Sequence, residues 1–340
     1  MPLRPSMPLP ALLRGMSLPS LAACLVGGAV AQPVPGPAWD EMQDNEPPGL
    51  VESAARNHLG RQPGDPAASL ALAMALAANP RPSVAEAALP LMQSCSARHP
   101  TAAECAFALG VLQSARARDS AWKTLGLAPS IREAFQQAVQ LAPAHLPYRA
   151  ALMQFYLAAP TMAGGGDERV DALLRLTEPA YPSHARFLAG LRLVHQRRYE
   201  DAERALWSIE PGTDEALRRS LYDLLCQVGG LQLQAGQLHS AHGLFLRLVA
   251  REPSLAAAHY GVGRTHAERG APQEAIEAYQ QARRLRGRAA LALDYREALA
   301  WLQMSQPARA RPLLQRHVDG NRGPVEHLKD ARARLEALSR

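Results

Sequence analysis

One spacing constrains the fold more than any other property of this 340-residue chain. Gly229, Gly236, Ala241, Phe245 and Pro253 are each followed 34 positions later by Gly263, Gly270, Ala275, Tyr279 and Gly287. A period of that length marks a repeated supersecondary unit, because each copy leaves an apolar face that only a neighbouring copy can cover. The unit reads as a helical hairpin. In residues 256–289, Tyr260, Val262, Gly263 and His266 recur at helical spacing ahead of Gly270, and Ala275, Tyr279 and Ala282 follow at i, i+4 and i+7. Gly270 suits the left-handed position after a helix, and Pro272 sits in a first turn where it removes no intrahelical hydrogen bond, so the turn is tight. Gly263 and Ala275 let the two backbones approach closely, while Tyr279 carries bulk to the next layer.

The register continues on both sides. Gly190, Ala202 and Leu206 precede Gly229, Ala241 and Phe245 by 39 positions, with the extra residues absorbed around Glu210-Pro211-Gly212-Thr213-Asp214. Ala298, Ala310 and Leu314 follow Gly263, Ala275 and Tyr279 by 35. A small residue in the first helix, Gly at the turn, then Ala and a bulky residue in the second helix resemble the tetratricopeptide repeat (TPR) family. Gly287 stands where that family often ends on Pro, and His259 where it often has Trp. The resemblance implies an all-α fold, a right-handed superhelical solenoid of antiparallel helix pairs. Phe135, Ala138 and Pro143 read as a second-helix end, and Ala67 to Leu91 as an Ala-rich first hairpin. About seven hairpins are expected over residues 65–320, with a C-terminal capping helix in 321–340 whose stripe is Val325, Leu328, Ala331, Leu335 and Leu338. Two intervals interrupt the pattern: Arg116 to Pro129 lengthens one hairpin, and Ala159-Pro160 through Gly164-Gly165-Gly166 reads as a mobile connection. Gln154-Phe155-Tyr156-Leu157 followed by that segment resembles a signature of exported bacterial TPR proteins of undefined function, over residues 100–182.

The amino terminus points the same way. Arg4 and Arg14 precede an apolar run from Met16 to Val30, which ends on Ala29-Val30-Ala31. Basic, apolar and small-x-small parts in that order predict a signal peptide over 1–31, cleaved before Gln32, and hence a periplasmic or secreted protein. The apolar run is too short for a comfortable membrane span. Leu21-Ala22-Ala23-Cys24 resembles a bacterial lipobox, so lipidation at Cys24, giving an outer-membrane lipoprotein, is the alternative. Residues 32–64 are rich in Pro, Gly and acidic side chains and read as a tether or N-terminal cap, with one short helix around Leu50 to Leu59. In an oxidising compartment Cys95 and Cys105, flanking Ser96-Ala97-Arg98-His99-Pro100, could be bridged or could be two buried small hydrophobes. Cys226, in an Ala/Leu-rich helix, reads as core.

No reaction is legible. Gly-x-Ser-x-Gly, CxxC and HExxH are missing; His239 and His242 are three apart without a third ligand, and Gly164 to Gly166 lack the following Lys-Ser/Thr of a phosphate loop. His259 and His266 occupy slots that face the hairpin core. The chain therefore reads as a non-enzyme without metal or cofactor. Its net charge is +6, with arginines concentrated after residue 283, and aromatic residues make up only 5% of the chain. Such a basic end could meet phosphate-rich lipid or an acidic partner, or be a solvated helix face, and no nucleic-acid motif accompanies it. The TPR resemblance implies an interaction scaffold that holds a protein or peptide on its concave, first-helix side, within an envelope assembly. The alternative is a lipid-anchored structural part or an accessory subunit of an envelope enzyme complex. The repeat register places Phe187, Leu191 and His195, then Tyr260, Arg264 and Glu268, then Tyr295, Leu299 and Gln303 on that side. Each is either partner-binding or packed between repeats.

Overall fold

The computed structural model describes residues 38–78, 82–117, 121–288, 291–320 and 324–339. The expected signal segment, with Cys24, lies outside the described residues. All regular structure among the described residues is helical, and the chain divides into two compact units, Met1–Leu221 and Tyr222–Arg340. No described helix is long and apolar enough to cross a membrane.

The first unit opens with α1 (Trp39–Asn45) and α2 (Pro48–Arg61). The helix expected around Leu50 to Leu59 is α2, which Pro48 enters in its first turn, where its missing N–H costs nothing; α1 precedes it. Val51, Ala55 and Leu59 then bury a stripe at intervals of four, and α2 packs on α3 (Pro66–Ala78). Trp39 is buried edge-on to the His58 ring, 5.6 Å between centroids. Helix α3 is apolar all round, with every residue from Ala68 to Ala77 buried, and it sits among α2, α4 (Pro82–Arg98) and α5 (Ala103–Ala117). Cys95 and Cys105, at the α4–α5 connection, form a disulfide with Cα atoms 5.4 Å apart.

Next come α6 (Ala121–Leu141), α7 (Leu146–Ala158), a 3-10 turn (Thr161–Ala163), α8 (Asp167–Thr177), α9 (Pro182–His195) and α10 (Tyr199–Trp207). Helix α6 continues through Pro129. The glycine segment after α7 folds back on the backbone that precedes it. The Gly164, Gly165 and Gly166 N–H groups donate to the carbonyls of Thr161, Pro160 and Tyr156 at 2.9, 3.2 and 2.9 Å. A Cβ on Gly165 would lie 2.0 Å from the Ala159 oxygen, so the close approach requires glycine there.

Helix α11 (Glu215–Gln234) runs across the boundary at Leu221. The second unit continues with α12 (Leu238–Arg251), α13 (Ala256–Glu268), α14 (Pro272–Arg284), α15 (Leu293–Gln303), α16 (Pro307–Gly320) and α17 (Val325–Ala337), which packs on α16. The repeated glycines have one job throughout. A Cβ on Gly190, Gly229 or Gly263 would lie 2.4, 2.7 or 2.5 Å from the side chain of Leu206, Phe245 or Tyr279, each 16 positions later. The first helix is notched so that the bulky residue of the second can seat against its backbone.

The turns repeat too. Gly236 and Gly270 adopt positive φ, and the next residue's N–H reaches back over five positions, Gln237 to Gln232 and Ala271 to His266, at 2.8 and 3.0 Å. Arg197 and Ser305 hold the same left-handed position in their hairpins, closed by Arg198 to Leu193 and Gln306 to Trp301 at 3.0 and 2.9 Å. Pro272 enters α14 in its first turn.

Candidate functional site

Helices α13 and α15 are consecutive first helices, and they touch directly with α14 beside both. Arg264, Ala267 and Glu268 share one face of α13 at i, i+3 and i+4, and Arg296, Leu299 and Gln303 share one face of α15 at i, i+3 and i+7. Together with Tyr279 of α14 they line a cavity of about 70 Å³. Cofactor and drug-sized pockets run to roughly 300–1,000 Å³, so this one holds a functional group and not a whole small molecule.

The cavity is dominated by two guanidinium groups. Burial holds Arg264 below the usual arginine range, and the charge of Arg296 pushes the same way. Arg296 is also desolvated, but its interaction with the Tyr260 hydroxyl lifts it above that range. The Arg296 Nε is buried without a hydrogen-bond partner among the described residues. Neither arginine is in an ion pair there, although Glu268 stands exposed on the rim. Tyr279 is fully buried with its ring 5.8 Å from that of Tyr260, and burial pushes its hydroxyl upward, so it remains a neutral hydrogen-bonding group. Gly230 of α11 lies beside Arg264, since a Cβ there would be in ordinary contact with Arg264 Nη1 at 3.8 Å.

Five of the residues placed on the first-helix side, Tyr260, Arg264, Glu268, Leu299 and Gln303, come together at this cavity. Tyr295 does not. It is 6% exposed, its ring stacks on His327 at 4.3 Å and lies 5.3 Å from His317, and its hydroxyl donates to Asp330 Oδ2 at 2.9 Å. Helix α17 covers that position, so Tyr295 belongs to packing and not to a contact surface. Phe187 and Leu191 of α9, at 3% and 2% exposed, are also packing residues, corrected by burial in the first unit's core. His195 is half-buried on the same helix and held below the usual histidine range by burial. The repeat register does not single out Arg296: it falls within the basic end, yet its spacing from Leu299 and Gln303 places it on their face.

Histidines serve packing and local hydrogen bonds. His242 Nδ1 lies 2.8 Å from Thr265 Oγ1, with its ring edge-on to His266 at 5.1 Å. His259 is not a core filler; its Nε2 bonds the Pro253 carbonyl at 2.9 Å at the helix entry. Among the described residues no group of three or more His, Cys, Asp or Glu is placed to hold a metal. Cys226 remains a free thiol, pushed well up by burial. Much of the basic end is internally paired: Arg283 meets Asp294 and Glu297 at 2.9 and 2.7 Å, Arg316 meets Asp294 at 3.2 Å, and Arg309 covers the Trp301 ring at 4.4 Å.

Stacked hairpins with a notched first helix, a bulky second-helix partner and left-handed turns at intervals of 39, 34 and 35 residues, from Arg197 through Gly236 and Gly270 to Ser305, define a tetratricopeptide-repeat fold. No protein-family model matches the sequence, and no curated protein matches it. Solved structures resemble it at low identity. The Cut9–Hcn1 hetero-tetramer of the APC/C aligns at 15% identity and TM-score 0.40, over 86% of this chain and 54% of the other, so this chain spans about half of that one's length. Pseudomonas aeruginosa pilF aligns at 14% and 0.42 over 70% of this chain and 99% of its own. YrrB, described as a TPR protein with an unusual peptide-binding site, aligns at 13% and 0.32 over 71% and 97%.

Proposed function

We propose that the protein is an exported interaction scaffold that binds a protein segment on the first-helix side of its second unit, as part of an envelope assembly. The observation that carries this reading is the α13–α15 cavity with its surround: half-exposed Tyr260, Arg264 and Leu299 beside exposed Glu268 and Gln303. An aromatic ring, a guanidinium and an aliphatic group around a depression are the side chains that anchor protein interfaces. The signal-like amino terminus and the disulfide in the first unit support an oxidising compartment.

Photo-crosslinking residues at Glu268 and Gln303, compared with the exposed second-helix positions Glu277 and Gln281, test the binding face in the native compartment. Discrete adducts from the first pair alone are expected, and they should vanish in Tyr260→Ala/Arg264→Ala. Equal adducts from both pairs would place the partner elsewhere. The mass of the mature amino terminus tests the address: a chain beginning at Gln32 is expected, and an uncleaved Met1 would remove the export reading.

A further inference from the structure

We infer that the α13–α15 cavity is an oxyanion site in which Arg264 and Arg296 together receive one anionic group carried by the bound segment. This deepens the scaffold reading and rests on it. The physical case is a charge imbalance. Two partly buried guanidinium groups line one small cavity, and among the described residues neither forms an ion pair, with Glu268 acting on Arg264 only through its charge. A buried charge is ordinarily paired, because leaving it alone forfeits hydration without compensation. Elsewhere in this unit Arg283, Arg316 and Arg334 each meet a carboxylate. The two arginines of the cavity do not.

The unsatisfied atom points the same way. Arg296 Nε is buried and, among the described residues, without a hydrogen-bond partner. An oxygen anion in the cavity supplies the missing acceptor and a counter-charge for both arginines, and planar guanidinium groups suit such oxygens. Other nearby groups do not fill the role. Tyr279 is a neutral phenol, His327 of α17 is held at about 4 by burial and by the charges of Arg296, His317 and Arg264, and Asp330 is engaged by Arg334 and Tyr295. Glu268, which also lines the cavity, raises Arg264 by its charge but forms no ion pair with it, so one carboxylate stands against two guanidinium groups. The volume, about 70 Å³, accepts a carboxylate or a phosphate but excludes a nucleotide.

Unpaired like charges are retained at the expense of the empty fold, and this separates a binding role from a structural one. The full-length protein and its Arg264→Met variant, which keeps an apolar stem, are unfolded thermally in low-salt buffer without polyvalent anions. The variant should melt at or above wild type; a lower midpoint would make Arg264 structural and overturn the inference. Sodium phosphate and sodium glutarate, a mimic of an acidic side chain, are then added against chloride of equal ionic strength. At about tenfold over its dissociation constant, either anion should raise the wild-type midpoint by about 2–4 °C more than the variant's. A gain with phosphate alone identifies a phosphorylated source, and a gain with both makes a carboxylate sufficient. Equal gains in the two proteins would reflect general salt exclusion and overturn the site. Gly230→Leu, crowding Arg264 from α11, should also abolish the arginine-dependent gain. The scaffold reading fails separately: crosslinks missing from Glu268 and Gln303 with the anion response intact would remove the partner and leave the site.

Discussion

At the scale of single residues, the hairpin turns show which sequence rules hold and which are overridden. Glycine takes the left-handed position at 236 and 270, but Arg197 and Ser305 take it in their own hairpins at φ of 60° and 55°. An L-side chain in that region crowds its own carbonyl by about 1–2 kcal/mol, partly offset because glycine gives the unfolded chain more freedom. Ser305→Gly should therefore stabilise the second unit by about 0.5–1 kcal/mol, and Gly270→Ala should destabilise it by about 1 kcal/mol, both read by urea unfolding. The candidate site was half legible at this scale. Tyr260, Arg264 and Glu268 followed from the repeat register, because first-helix positions at i, i+4 and i+8 share a face. Tyr295 occupies the equivalent of Tyr260 one repeat later, yet it is buried beneath α17. Register fixes the direction of a side chain but not whether another element covers it. Arg296 shows the converse, since a charge count treats an arginine as solvated until a neighbouring helix encloses it.

At the scale of elements, the seats of the hairpins were readable because they depend on paired sizes, Gly190 with Leu206, Gly229 with Phe245 and Gly263 with Tyr279, at a fixed separation. Less regular connections were not, as the glycine turn after α7 and the helix through Pro129 show. Polar packing between elements left no sequence signal either. His145 at the entry of α7 stacks on Tyr148 at 4.0 Å, Arg149 covers the Tyr181 ring at 4.4 Å, and His184 of α9 bonds Asp214 at 2.8 Å. This cluster links α7 and α9 to the loop before α11. Burial holds His145 at about 4, against Asp214, which raises it, and alongside His184, which lowers it; the ordinary value is 6.5. The unfolded chain thus binds the proton more readily than the fold, so this contribution to stability is complete above about pH 6.5 and is lost as pH falls towards about 4. Unfolding midpoints of the first unit should decline across that window. His145→Phe, which keeps a ring on Tyr148, should flatten the decline between pH 6.5 and 4.5; an unchanged slope would assign it to other groups.

At the scale of the molecule, the two units carry different kinds of constraint, and that makes them separable in experiment. The first holds the covalent link between α4 and α5; the second holds the cavity and the covering helix α17. Cys95 and Cys105 are separated by 10 positions, so the bridge closes a short loop and restrains the unfolded chain by about 3 kcal/mol in the chain-entropy treatment. In a repeat array each hairpin is stabilised chiefly by its neighbours, so a local loss spreads by contact and weakens with distance. Reduction, or the Cys95→Ala/Cys105→Ala pair, should therefore raise hydrogen exchange first in α4 and α5, next in α3 and α6, and leave α13 to α16 protected as before. The anion-dependent rise in midpoint should survive reduction, because none of the residues around that cavity touches the bridge. If reduction instead unprotected both units together, the chain would behave as one cooperative body, and the linkage between compartment and stability would extend to the binding side as well. Graded loss confined to the first unit would mean that an oxidising environment secures the amino-terminal repeats and leaves the stability of the second unit to its own packing.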